Sequence, residues 1–136
     1  GTTTDYYWGK NYSSYPATAA DTAEFNEHTV WRKNSLDAGI DAAAYGVHAV
    51  GTTPPNAYGL YNMAGNVSEH VHDLEVLDPG YGKVTDPAGA NDGFIHLIRG
   101  GNWGNDAIRF RSSNRNFSAA SYPFFYCGIR TVRKVQ

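Results

Sequence analysis

The sequence predicts a loop-rich α+β domain, with a few short strands and helices held together by aromatic side chains. Three observations carry this reading. The chain has 136 residues, the size of one compact domain, taken here as 1–136. Aromatic residues number 19 against 5 Leu, which disfavours a helical bundle and leaves rings to fill the interior. The 15 Gly and 11 Asn place turn-forming residues in almost every stretch. With 41% hydrophobic and 18% charged residues the chain is neither disordered nor a charged coiled coil. No apolar run approaches the roughly 18 residues of a membrane span.

The elements follow in order along the chain. Residues 1–56 are broken by Gly, Pro, Ser and Thr, with a short helix expected over Thr22–Asn34 and another over Ser35–Tyr45. The run Tyr58–Val67 reads as a turn, and the alternation over Val67–Leu74 as a strand. Residues 78–93, with Asp-Pro-Gly, Asp-Pro and Asn-Asp-Gly, read as loop. Three further strands are expected: Phe94–Arg99; Ala107–Ser113, where Ile108, Phe110 and Ser112 alternate with Arg109, Arg111 and Ser113; and Cys127–Val135.

Charge divides the chain unevenly. Residues 1–98 carry 12 acids against 4 Lys/Arg, or −8, whereas residues 99–136 carry 7 Lys/Arg against 1 acid, or +6. A basic tail suggests nucleic acid, but six of its seven cations are Arg, set in tight local patterns such as Arg99-Gly100-Gly101 and Arg111-Ser112-Ser113-Asn114-Arg115. The guanidinium, with five donors in a fixed fork, suits the tying together of loop carbonyls, so no nucleic-acid partner is expected. In Glu69-His70-Val71-His72-Asp73, His70 and His72 would share one strand face, but two imidazoles do not make a metal site. The single Cys127 lies in the apolar run Phe124-Phe125-Tyr126-Cys127-Gly128, where a passive thiol is expected rather than a nucleophile.

Six ordered blocks now identify a family. Asn56-Ala57-Tyr58-Gly59-Leu60-Tyr61-Asn62-Met63-Ala64-Gly65-Asn66-Val67-Ser68-Glu69 resembles the N-A-[FY]-G-L-[YF]-D-M-x-G-N-V-W-E block of the formylglycine-generating-enzyme (sulfatase-modifying factor) family. Tyr7-Trp8-Gly9, Trp31-Arg32-Lys33-Asn34-Ser35, Arg99-Gly100-Gly101-Asn102-Trp103, Arg111–Arg115 and Gly128-Ile129-Arg130 resemble its other blocks. The resemblance implies a C-type lectin-like fold with a small twisted antiparallel sheet. The portion that usually precedes the first block has no counterpart in these residues, as expected of a minimal member or of part of a longer chain. The family's copper oxidases carry a cysteine pair after the Arg-Gly-Gly-x-Trp block. Here Gly104, Asn105 and Asp106 follow, so copper-dependent oxidation is not expected. An enzyme of this or a related oxidase type, and an accessory domain without variation, remain the alternatives.

The C-terminal part also resembles the variable proteins of diversity-generating retroelements, in which a segment of about 99–130 would be rewritten by error-prone copying at adenines. Randomised Asn codons cannot yield Lys, Glu, Gln, Met or Trp. None of the five occurs in residues 104–127, although they occur 11 times in residues 1–103. That absence has a chance of roughly one in fifteen on the composition of the rest. The resemblance implies a non-enzymatic protein that presents varied residues on a rigid scaffold to a selected ligand, a protein or cell-surface molecule, when displayed on a cell or virion. Tyr and Phe interspersed with Ser and Ala over residues 117–126 resemble an antibody paratope. The expected binding residues are Asn105, Asp106, Ile108, Phe110, Asn114, Phe117, Ser118, Tyr122, Phe124, Phe125 and Tyr126. Trp103, Arg111, Arg115 and Arg130 are expected in the invariant frame, with Gly101 and Gly128 at turns. No cofactor is required on this reading, but the family's structural Ca2+ would fall on Asn62, Gly65, Val67 and Glu69, through hard oxygen ligands.

Overall fold

The computed structural model describes residues 3–12, 18–74, 95–119 and 125–132. One helix, α1 (Ala19–His28), is followed by 3-10 turns over Arg32–Asn34 and Leu36–Ala38. Four strands, β1 (Ser68–Leu74), β2 (Ile95–Arg99), β3 (Asn116–Ala119) and β4 (Cys127–Gly128), form one sheet in the order β3-β2-β1-β4. β3, β2 and β1 run antiparallel, but β4 lies parallel to β1, so the sheet is mixed and not wholly antiparallel as expected.

α1 begins and ends earlier than its apolar pattern suggested. The Thr18 hydroxyl accepts from the Asp21 N–H at 3.0 Å and the Asp21 carboxylate accepts from the Thr18 N–H at 3.2 Å, a reciprocal cap. The helix stops because Thr29 turns to extended backbone (φ −141°), and the segment through Val30 carries Trp31 into the core. The helix expected over Ser35–Tyr45 shrinks to Leu36–Ala38 before Gly39 at φ +90°.

The strand expected at Ala107–Ser113 is instead a 3-10 turn over Ala107–Phe110. Three residues per turn place Ala107 and Phe110 on one side, and both are buried, whereas Ile108 and Arg109 face outward. β4 ends at Gly128, well short of Val135. Gly128 therefore lies in a strand and not at a turn; a Cβ there would come within 2.8 Å of Val67 Cγ2. The loop expected over 78–93, Phe94, and residues 133–135 lie outside the described residues.

The main core joins the N-terminal loops to the 107–110 turn. Tyr6, Tyr12, Phe25, Trp31, Ala64, Ala107 and Phe110 form one buried cluster. Phe25 sits at its centre, with ring centroids 5.4 Å from Tyr6, 4.5 Å from Trp31 and 5.7 Å from Phe110. Tyr6 donates its hydroxyl to Ala107 O at 3.1 Å, fastening the two ends of the chain across 101 positions.

With so little regular structure, asparagine side chains stand in for backbone partners. Asn66, buried at φ +64°, accepts the His48 N–H at 2.8 Å and donates back to His48 O at 3.0 Å. Asn62, at φ +52°, accepts the Gly51 N–H at 2.8 Å. Asn is among the few residue types besides Gly that adopt this backbone region readily.

Candidate ligand-binding site

A cavity of about 410 Å³ opens between the first turn of the 99–130 segment and its last strand. Eight of its eleven lining residues belong to that segment. Its walls are aromatic: Trp103 packs edge-on against Tyr45 at 5.1 Å and lies 6.4 Å from Phe125, which meets Tyr126 at 4.8 Å. Phe117 on the edge strand also lines it, although its pairing with Leu97 turns the ring toward the other sheet face, and buried Ile98 lies on the sheet side. On β2 alternate residues face opposite sides, so Ile98 and its partner Asn116 share the cavity face.

No charged side chain lines the cavity among the described residues. Its polar side chains are three amides, two phenols and one indole. Asn102 is buried and committed: its Oδ1 accepts the Gly104 N–H at 3.0 Å and its Nδ2 reaches Ser68 Oγ at 3.4 Å. Asn105 spends its Oδ1 on the Asn102 N–H at 3.1 Å, and Asn116 spends its own on the Phe117 N–H at 3.0 Å. The buried Trp103 indole N–H has no acceptor among the described residues. An unpaired buried donor is uncommon in a folded interior and leaves that wall ready for an acceptor.

Of the expected binding residues, the fold brings Asn105, Phe117, Phe125 and Tyr126 together at this cavity. Phe117 and Phe125 are 55% and 77% exposed. Asp106 lies outside the lining, within 3.3 Å of Arg32. Ile108 is exposed but elsewhere, and Asn114 lends its main-chain oxygen to Arg99. Two expectations of exposure are corrected. Phe110 is 4% exposed because it belongs to the aromatic core, and Ser118 is 2% exposed on β3. Tyr122 and Phe124 lie outside the described residues. Tyr45 and Leu36 were missed: they come from the N-terminal half, and nothing local in their sequence marks them as neighbours of residue 103.

The calcium positions do not fit a calcium ion. The Glu69 carboxylate accepts Arg130 Nε at 2.7 Å on one oxygen and Arg130 Nη2 at 2.6 Å on the other. The same Nη2 donates to Tyr61 O at 2.9 Å and Asn62 O at 3.3 Å, while Asn62 Oδ1 is held by Gly51. A guanidinium therefore supplies the positive charge that these oxygens would otherwise offer to a metal. No group of three or more His, Cys, Asp or Glu is placed to hold a metal among the described residues. His70 meets His96 ring to ring at 6.3 Å. Burial pushes the Cys127 thiol above its ordinary value, away from thiolate.

A mixed four-stranded sheet under a shell of loops, with an aromatic cavity formed by the C-terminal segment, defines a C-type lectin-like domain of the formylglycine-generating-enzyme type. The chain belongs to the sulfatase-modifying factor enzyme 1-like domain family, whose model matches residues 1–135. Among solved structures it is similar to Treponema denticola variable protein 1, with a TM-score of 0.65 and 25% identity, over 79% of this chain and 36% of that one. It is also similar to PvdO from Pseudomonas aeruginosa, with a TM-score of 0.58 and 31% identity, over 76% of this chain and 38% of that one. A curated relative, the serine/threonine-protein kinase pkn1 of Chlamydia pneumoniae, is 37% identical over 87 residues, which are 60% of this chain but 14% of that protein. The chain thus spans well under half the length of each of these relatives. No helix among the described residues is long and apolar enough to cross a membrane.

Proposed function

We propose that this domain is a ligand-binding module without catalytic function, and that the aromatic cavity is the surface a retroelement diversifies. The observation that carries the reading is the coincidence of two independently drawn boundaries. The Arg-Gly-Gly-x-Trp block and the segment from it to the Gly-x-Arg block together supply eight of the eleven residues around the aromatic cavity, six of them from between the blocks. Exposed Phe125, half-buried Tyr126 and the Trp103 indole donor, which has no partner among the described residues, provide rigid anchors and a polar handle, the usual source of affinity in a small interface. The ligand is a protein or cell-surface molecule, met by a domain displayed on a cell or virion. The similarity to a variable protein supports this reading. A single half-buried cysteine with a raised pKa argues against thiolate-based oxidation, since residues 1–136 hold only one of the two cysteines that chemistry uses.

The test is a library in which codons 105, 117, 125 and 126 are randomised together on the displayed domain, alongside sequencing of the gene's surroundings. Most library members should melt within a few degrees of the parent, and a second copy of the 99–130 coding segment should differ only at adenines. A library that largely fails to fold, or a gene with neither template copy nor reverse transcriptase nearby, overturns the proposal.

A further inference from the structure

Arg115 is grouped by sequence with the frame arginines, yet it behaves unlike them. Arg111 approaches Asp5 at 3.5 Å, Arg130 clasps Glu69, and Arg99 donates to the main-chain oxygens of Ser112 and Asn114. Arg115 is exposed and forms no hydrogen bond or ion pair among the described residues. It lines instead a second cavity of about 240 Å³ with Arg99, Ser113, Asp73, Val71 and Leu97. Leu97 and Arg99 alternate with Ile98 along β2, so this cavity lies on the sheet face opposite the aromatic one.

Charge and donors are both out of balance there. Two guanidiniums face one carboxylate, which leaves a net +1. Burial, and then the neighbouring charge of Arg115, lower the Arg99 pKa, with only Asp73 opposing. Arg99 commits two of its five N–H donors to carbonyls, leaving three; Arg115 keeps all five, and the Ser113 hydroxyl adds another. Asp73 supplies the one carboxylate of the lining among the described residues, and the Ser113 hydroxyl oxygen is the other side-chain acceptor. Val71 and Leu97 form an apolar side that limits solvent screening. The fold keeps two like charges in one cavity with too few acceptors, an arrangement that an anion relieves.

We propose that this cavity binds a tetrahedral oxyanion, the phosphate or sulfate group of an acidic ligand, with Arg99 as its fixed wall and Arg115 as the clamp that closes on it. Three donor residues, Arg99 at the end of β2 and Ser113 and Arg115 on the connection before β3, suit a group with three free oxygens better than a planar carboxylate. The site is independent of the aromatic cavity.

The experiment titrates the whole domain calorimetrically with sodium phosphate, sodium sulfate and sodium acetate, against sodium chloride at matched ionic strength. Sulfate also stabilises proteins by exclusion, so the readout is saturable binding and its dependence on the cavity residues. Expected are saturable binding of phosphate or sulfate, a loss of about tenfold in affinity in Arg115→Gln, and tighter binding in Asp73→Asn. Whichever of the two ions binds more tightly identifies the ester the natural ligand carries. Arg115→Gln should melt no lower than the parent without anion, since it removes a repulsion and no bond, and Phe125→Ala should bind the ions unchanged. Heats indistinguishable from chloride, equal binding of acetate, or an Arg115→Gln variant that binds as well as the parent overturns the proposal.

Discussion

Arg130 and two glycines show how much of this fold rests on single side chains or their absence. Arg130 joins β1, the turn before it and the chain beyond β4 through one guanidinium. Arg130→Gln should cost about 2 kcal/mol in urea unfolding, since it leaves the Glu69 carboxylate half-buried and unpaired. Gly65 sits at φ +79°, and a Cβ there would lie 2.4 Å from Val30 O. Gly101 sits at φ +69°, and its Cβ would meet the Phe110 ring at 2.6 Å. A ring in a core can shift where a main-chain carbonyl cannot. Gly101→Ala should therefore fold with a loss of about 2–4 kcal/mol, while Gly65→Ala should lose more and fail to give a sharp melting transition. The sequence marked Gly101 correctly as a turn residue. It misplaced Gly128, because a glycine needed for close approach to Val67 reads no differently from one needed for its backbone angle.

Single elements divide by whether their signal is local. β1 and β2 were visible in the alternation of their side chains, and the block order located the turn before β1. The 107–110 segment was misread because Ile108, Phe110 and Ser112 alternate like a strand, while the buried pair is Ala107 and Phe110, three apart. Ala was passed over as a core residue, yet it is fully buried beneath the Tyr6 hydroxyl bond. This assignment separates two phenylalanines of the same segment. Phe110→Ala should destabilise the domain by about 3–5 kcal/mol, whereas Phe125→Ala should leave the melting temperature nearly unchanged. The cap on α1 is a smaller test: Thr18→Ala should cost about 1 kcal/mol, read by thermal or denaturant unfolding.

At the scale of the molecule, the fold family was legible and part of its wiring was not. Six spaced blocks identify the architecture, but the parallel pairing of β4 with β1 depends on where residues 125–130 land after a long excursion, which no local pattern encodes. The same holds for Tyr45, which reaches the cavity wall from the opposite half of the chain. Two bulk measurements follow from the packing. Prolonged dialysis against a chelator should leave the melting temperature unchanged, because Arg130 already supplies positive charge to the Glu69 carboxylate and the Asn62 main-chain oxygen. Burial raises the pKa of Tyr6, Tyr7 and Tyr12 above the ordinary tyrosine value of about 10. A folded-state value above the unfolded one means full stability below pH 10 and progressive loss above it. The raised Cys127 thiol acts in the same direction from its lower ordinary value, so melting temperatures from about pH 8 to 11.5 should begin to fall above about pH 8.5 and fall more steeply beyond about pH 10.

The tryptophans are also divided by place. Trp31 lies in the aromatic core and Trp8 packs against it, with Trp8 stacked on His28 at 4.9 Å, whereas Trp103 stands in the cavity wall beside Tyr45 and Phe125. One chain thus carries two optical reporters. Near-ultraviolet ellipticity from the packed rings follows the loss of the fold. In a Trp8→Phe, Trp31→Phe background, emission from the remaining indole would report occupancy of the cavity, so ligands could be screened by a colour change before any of them is identified.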